Sequence, residues 1–422
     1  MTDLDVAVVG AGPAGLAAAY ALHAAGRTVH VFEAHDAVGG RTRAVRRHGA
    51  VFDTGAEMLG VAGYPATWRL VRALGLDDDC APPIGRDIAV WRRGRVVPGL
   101  GERGGRALGP FARAALAVAL ARRRDVETPE AHGDRPLARV RNRELRDYLL
   151  EPLAAGFFGW DVERACAGPM LAHLRAVGSP STYRAYRGGM DALSLALAEH
   201  LDVSTGVPVR AVTTTSAGAR LVTDAAALTA RQIVLAVPAP VAARLHPGAP
   251  AYVHACEYRP MVKVVCLLDR PLGPETPSFA LAVPRVEDQV VAGLSFDDRR
   301  CADRAPQGMG MIGIVAARPA DWLEAPDEAV AAALVRGAAR FVPGLTEAVR
   351  ATVVARFADG LPMPTPAAMA LRPAFVGRAA CTVDYAGDWE SARPCAEGAV
   401  RSAEKVAARI LGRVPVLVGS GT

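Results

Sequence analysis

Short apolar runs alternate with helical stretches along this chain, and the alternation is sharpest at its start. Residues 5–9 (Asp-Val-Ala-Val-Val) form a run the length of one buried strand. Glycines at 10, 12 and 15 follow, and residues 16–25 are alanine-rich, with high helix propensity. A second apolar run, 28–32, ends in Glu33. Strand, glycine turn, helix, strand and acid in this order predict a dinucleotide-binding βαβ unit. Gly10 permits the tight turn, Gly12 lets a pyrophosphate approach the backbone, and Gly15 lets the helix pack closely on the strand. Pro13 and Ala14 open that helix, whose unpaired N–H groups and partial positive charge suit phosphates. Glu33, eighteen residues after Gly15 and followed by Ala34, is placed to accept hydrogen bonds from an adenosine ribose. Its charge argues against a 2′-phosphate.

The pattern continues less sharply. Trp68, Val71 and Leu74 have helical spacing, with Gly75 as a C-cap. Residues 88–90 and 95–97 flank Arg92-Arg93-Gly94 and predict a hairpin. Residues 106–176 read as helical, with breaks at Pro129, Pro136, Pro152 and Gly156. Residues 186–190 open a helix to about His200, and 233–237 form an apolar strand ending in Pro238. The most apolar strand of the second half is 262–268. Residues 279–317 alternate apolar runs with turns, as an antiparallel sheet flooring a substrate cavity would. A helix over 328–341, a strand over 353–357 that stops before the prolines of 361–366, and a last helix from about 394 complete the pattern.

Composition narrows the class. With 422 residues, two domains are expected, and 51% hydrophobic with 22% charged residues means a globular chain. The net charge of +6 is scattered, without an aromatic-interleaved basic stripe, so no nucleic-acid partner is predicted. The basic stretch 122–146 is interrupted by Asp125, Glu127, Glu130, Asp134 and Glu144 and reads as a solvated face, the alternative being an anion site or a peripheral membrane contact. No apolar run reaches the ~18 residues of a membrane span. The nearest, 112–121, is broken by Arg113; it is expected as a second-domain helix that would also suit a greasy substrate entrance. Seven cysteines form no CxxC pair and no cysteine–histidine cluster, so no metal site is predicted. Their odd number, with no room for a targeting segment before the first strand, fits the cytoplasm.

Gly39-Gly40-Arg41-Thr42 follows Glu33 closely, and Phe52-Asp53-Thr54-Gly55-Ala56-Glu57-Met58 follows that. Here the chain resembles the flavin-containing amine oxidase superfamily, which includes protoporphyrinogen oxidases and phytoene-type desaturases. The resemblance implies a FAD cofactor, held non-covalently, with Gly40, Arg41 and Thr42 near its pyrophosphate and Gly55, Ala56, Glu57 and Met58 beside the isoalloxazine. It also implies a backbone contact from Val209 to the adenine and support of the ribityl-phosphate by Gly387 and Asp388. The helix opening at Glu397, Gly398 and Ala399 would point its N-terminus at the flavin pyrimidine, where it stabilises negative charge. The implied fold is α/β: a Rossmann-type FAD-binding domain with an inserted α+β substrate-binding domain. Residues 1–62, 200–250 and 350–414 are assigned to the first, 63–199 and 251–349 to the second, and 415–422 to a flexible tail.

Flavin chemistry needs orientation, a dry pocket and tuning charges rather than a protein nucleophile. Lys263 is the expected catalytic residue. It interrupts an apolar strand in a chain whose only other lysine is Lys405, and a buried ammonium is expensive unless paired. Many amine oxidases carry a lysine in a similar Lys-Val-Val setting, where it holds a water against flavin N5; the plain alternative is a lysine snorkelling from an edge strand. Those oxidases also place an aromatic two positions before the last-helix Glu, and Cys395 stands there instead. His173, Tyr183, Tyr186 and Cys395 are candidate substrate contacts, with His254 and Tyr258 behind them. The expected activity is dehydrogenation of a C–N or C–C bond of a small molecule by hydride transfer to flavin N5, with O2 or another acceptor. Porphyrinogen oxidation, isoprenoid desaturation and redox-neutral isomerisation or cyclisation are the alternatives.

Overall fold

Strand Leu4–Val9 pairs in parallel with Val29–Phe32 on one side and Ala227–Leu235 on the other. Asp202–Ser204 extends this parallel sheet beyond Val29–Phe32, and Val383–Tyr385 joins it beside Ala227–Leu235. The antiparallel pair Val209–Thr215 and Gly218–Thr223 completes it. The central strands are covered on both faces, which is why they read as unbroken apolar runs. Helix Pro13–Ala24 is buried from Ala14 to Leu22, packed between this sheet and the last helix, Ala396–Leu411. The computed structural model describes residues 4–76, 79–100, 107–121, 125–132 and 135–414. The tail expected at 415–422, like Asp134 and residues 122–124 of the basic stretch, lies outside the described residues.

A second seven-stranded sheet runs in the order Val349–Met363, Glu257–Leu268, Gly310–Ala316, Val291–Phe296, Ala280–Ala282, Ile88–Arg92, Arg95–Val97. Alternation along its long strand assigns the two faces. Val262, Val264, Cys266 and Leu268 pack with Val330 and Leu334 of helix Asp327–Ala339. Val265 and Leu267 face the other way, onto Ala50 and Phe52, and Lys263 lies on that same inner face. The hairpin at 88–97 forms with Arg93 and Gly94 both at positive φ, the turn that matches strand twist.

Three expectations are corrected. Strand Val349–Met363 belongs to the second sheet and runs through Pro362, so the chain returns to the first layer after 363 and not at 350. Proline is tolerated there because this is an edge strand with a register shift opposite Arg259–Met261. Residues 251–255 pack with the first layer's core, through Tyr252 and Val253. Pro152 and Gly156 do not break their helix: a π turn over Arg146–Leu150 precedes Glu151–Phe158, which ends at Gly159 with φ of 59°. Gly156 sits in a tight helix–strand contact, where a Cβ would lie 3.3 Å from the Ala292 carbonyl oxygen.

The glycines of the first turn differ in kind. A Cβ on Gly15 would lie 1.9 Å from the Gly10 oxygen, whereas one on Gly12 would meet nothing within 4 Å. Gly15→Ala is therefore expected to cost roughly 1–3 kcal/mol of stability, and Gly12→Ala less than about 1 kcal/mol. Thermal unfolding of the two cofactor-free variants checks this; equal losses would contradict the packing argument.

Candidate functional site

The glycine turn sits where strand Leu4–Val9 ends. Gly10 has φ of 103°, and a Cβ on it would lie 2.7 Å from the Ala236 oxygen. Gly12 precedes helix Pro13–Ala24 without a side-chain cap, so the first-turn N–H groups face the open side of Gly12. The Gly39–Gly40 turn lies against it: Gly39 N–H donates to Ala11 O at 2.8 Å, and a Cβ on Gly40 would be 3.4 Å from Gly12 Cα. Glu33 is buried and accepts from Ala11 N–H at 2.7 Å and His35 N–H at 2.9 Å. Ala34 is exposed at the same strand end. Val209 packs with Val9 and Phe32, two residues after Val207 N–H donates to the Glu33 carbonyl. An uncapped helix N-terminus, an unfilled space above Gly12 and a buried acid fit the ADP half of a dinucleotide.

The two chain ends meet beside this turn. Arg41 forms a bidentate pair with Asp388, at 2.9 and 2.8 Å, and donates to Gly360 O at 3.1 Å. Burial opposes the Arg41 cation, but Asp388 outweighs it and raises its pKa. Arg41, expected at the pyrophosphate, and Asp388, expected at the ribityl-phosphate, are thus brought together as one pair. Thr42 bonds to Gly39 O, Ala56 N–H donates to Arg41 O, and Gly387 N–H donates to Ser402 Oγ.

Glu397 lies in the first turn of the last helix, with its side chain bound to a neighbouring helix. Its carboxylate accepts from Ala66 N–H, Thr67 N–H and Thr67 Oγ1, and from Arg401 Nε. It caps helix Pro65–Ala73 from outside, because the free N–H groups of a helix start attract a carboxylate. Cys395 precedes the last helix without a side-chain cap, and Cys395 and Ala396, not Glu397, line the cavity. Gly398 and Ala399 are buried in that first turn, a Cβ on Gly398 falling 2.2 Å from the Arg393 oxygen.

A cavity of about 1250 Å³ opens between the layers. Thr42, Gly55, Ala56, Glu57, Met58, Lys263, Leu281 and Val315 are among the residues that line it. Helix Pro110–Ala121 contributes Leu116, Ala117 and Leu120 to its wall and exposes Phe111 and Val118 to solvent. Lys263 is only 1% exposed and sits on an interior strand, paired with Val315 and Ala355, so it does not snorkel. Its Nζ lies 2.6 Å from Glu57 Oε1 and donates to Asp53 O at 2.9 Å. Gly313 makes room for it: a Cβ there would be 2.8 Å from Lys263 Cε.

Asp53 anchors this arrangement. One carboxylate oxygen accepts from Arg300 at 2.8 Å and Arg304 at 2.7 Å, and the other accepts from Met190 N–H at 2.8 Å. Arg300 also donates to Glu57 O, and Arg304 to Tyr186 O at 2.6 Å. Burial alone would raise the Asp53 pKa; the guanidiniums of Arg300 and Arg304 overcome it and hold the pKa below the ordinary value. Sequence reading missed this cluster because 47 of the 49 basic residues are arginine, so no single arginine stands out. Asp53, next to Thr54-Gly55, was the available signal.

His173, Tyr183, Tyr186 and Cys395 all line the cavity; His254 and Tyr258 do not. His173 stands edge-on to Phe158 at 5.0 Å, and its Nδ1 has no partner among the described residues. Burial, aided by the charge of Arg393, pushes its pKa down to about 3, so the imidazole is neutral. Tyr183 and Tyr186 have their pKa values raised by burial. His254 is exposed, and Tyr258 lies beside Arg41 and Asp388.

The family model described as flavin containing amine oxidoreductase matches residues 13–411. Over 79 residues, the chain is 47% identical to protoporphyrinogen oxidase 2 of Arabidopsis thaliana; the match covers 19% of this chain and 15% of that protein. Over 57 residues it is 58% identical to putrescine oxidase of Kocuria rosea, covering 14% of this chain and 12% of that one. Cyclohexylamine oxidase of Brevibacterium oxydans superposes with a TM-score of 0.78 at 20% identity, over 97% of this chain and 99% of that one, which shows a shared fold. No helix among the described residues is long and apolar enough to cross a membrane.

Asp53→Asn removes the carboxylate shared by two buried guanidiniums, while Arg300 keeps Asp297 and Arg304 keeps Asp303; a loss of about 1.5–3 kcal/mol is expected from urea unfolding at neutral pH. Because the folded pKa of Asp53 is depressed, its contribution is present above the unfolded carboxylate pKa of about 3.9 and fades as pH falls through the lower folded value. The difference between wild type and variant should therefore shrink only in strong acid; a constant difference across that range would contradict the assignment.

Proposed function

Because the chain belongs to the flavin-containing amine oxidoreductase family, we propose that it is a FAD-dependent oxidoreductase that dehydrogenates a C–N or C–C bond of a small molecule. The carrying observation is the meeting, in one cavity, of the Gly55–Met58 turn with a buried Lys263–Glu57 pair. Gly10, Gly12, Gly15, the start of helix Pro13–Ala24 and Glu33 would hold the ADP half of a non-covalently bound FAD. Arg41, Asp388 and Gly387 would meet its phosphates and ribityl chain, Val209 its adenine, and the start of the last helix its pyrimidine. Bound there, FAD supplies the hydride acceptor. The chain's own residues orient the substrate against it and exclude water.

Lys263 spends two of its three donors on Glu57 and Asp53 O. The third is left for a water, the role assigned here to the lysine in reaction with O2. Seven cysteines, with no disulfide among the described residues, suit a reducing cytoplasm.

A second reading, oxidation of a porphyrinogen or desaturation of an isoprenoid, is favoured by the lining. Glu57 is the acidic residue in the cavity wall and is already paired with Lys263, while His173 is neutral and Cys395 replaces an aromatic. No unpaired carboxylate among the described lining residues faces a substrate ammonium.

Anaerobic addition of candidate substrates, followed by the visible flavin band, tests the reading. Bleaching by an amine supports C–N oxidation, and bleaching only by a porphyrinogen or polyene supports the second reading. Turnover without bleaching or oxygen use would replace both with an isomerase. Lys263→Met is expected to slow reoxidation of the reduced protein by O2 at least tenfold; unchanged reoxidation would remove Lys263 from that role.

A further inference from the structure

Beside the large cavity, and sharing no lining residue with it, lies a recess of about 600 Å³. Arg72, Arg184, Arg393 and Arg401 line it, with Trp68. Three of the four arginines have described hydrogen-bond partners. Arg401 is held by Glu397 and Glu127, and Arg184 donates to Ala81 O at 2.8 Å with its guanidinium 5.6 Å from the Trp68 ring centre. Arg72 is exposed on the last turn of helix Pro65–Ala73.

Arg393 is the anomaly. It is 3% exposed, yet among the described residues no carboxylate pairs with it. Nη2 donates to Gly63 O at 3.1 Å, while Nε and Nη1 have no hydrogen-bond partner. A guanidinium stays charged at any ordinary pH, and a buried charge without a counter-charge is costly. Its planar fork matches the oxygens of a phosphoryl group.

We propose that this recess is a binding site for a phosphoryl anion, with Arg393 at its floor, Arg72 and Arg184 at its sides and the Trp68 ring against the ligand's organic part. The site does not depend on the flavin reading, because none of its residues serves the cofactor or lines the cavity. It does adjoin that cavity: Arg393 lies 5.7 Å from the ring centre of Tyr64, a cavity residue, and Pro394 and Cys395 follow it into the cavity wall. A phosphoryl group reaches such a site either as a free phosphorylated metabolite or as a lipid headgroup. The exposed Val61 at the rim is compatible with both.

The test is calorimetric titration of the purified full-length protein with inorganic phosphate, against sodium chloride at equal ionic strength. Saturable heat with one site per chain is expected, with Tm rising as phosphate is added. Arg393→Gln should weaken phosphate binding at least tenfold. Arg72→Gln, on an exposed helix surface where folding is not at risk, should weaken it severalfold. Absence of saturable heat in the wild type, or wild-type binding in both variants, overturns the proposal. Sedimentation with vesicles of phosphatidic acid in phosphatidylcholine separates the sources. Vesicle binding that phosphate competes and Arg72→Gln weakens identifies a lipid headgroup; phosphate binding without vesicle binding identifies a free phosphorylated ligand. Vesicle binding indifferent to both, with no phosphate heat, counts against the recess.

Discussion

The buried carboxylate of Asp53 is the constraint on which the joint between the two layers depends. It ends the short strand Ala50–Asp53, and its partners come from two distant parts of the chain: Met190, and Arg300 with Arg304. Its own backbone carbonyl takes a third, Lys263. One acid therefore fixes the turn that lines the cavity, the return of the chain at 186–190 and the inner face of the second sheet. A charge in that position is tolerable only because every oxygen is used. The same economy explains Lys263, which is buried on an interior strand only because Glu57 and the Asp53 carbonyl receive it.

The dinucleotide side is held by backbone shape rather than by charge. Gly10, Gly12 and Gly15 serve three separate steric ends: a positive φ, an open face and a close helix–strand contact. Arg41 and Asp388 then bring residues from opposite ends of the chain into one bidentate pair next to that turn. That pair fixes the orientation of the Arg41 guanidinium. The last helix completes the enclosure, with Glu397 locking it to helix Pro65–Ala73.

The first βαβ unit was legible because each part of it follows from local sequence: apolar runs, glycine spacing and an acid at a fixed distance. The lysine at 263 was legible for a different reason, its rarity in a chain that otherwise uses arginine. Rarity said nothing about its partner, since the pairing with Glu57 depends on a register between layers that no local pattern encodes. The Asp53 cluster and the unpaired Arg393 were hidden by the abundance of arginine itself. The end of strand Val349–Met363 was misplaced because prolines at 362 and 364 read as a stop, and only the edge position of the strand shows why they are allowed. The family pattern spoke only for the start of the last helix; that the Glu397 side chain caps helix Pro65–Ala73 depends on a packing of two helices far apart in sequence.

The account stands or falls on whether the glycine turn and the joined chain ends hold a flavin. The most direct measurement is the ratio of FAD to chain in the purified protein, with acid precipitation to release the cofactor, in the wild type and in Gly12→Val. The account predicts close to one FAD per chain, released into the supernatant by acid, and little or none in the variant although it folds. A colourless wild type that cannot be reconstituted, or a Gly12→Val protein that retains full FAD, would contradict it.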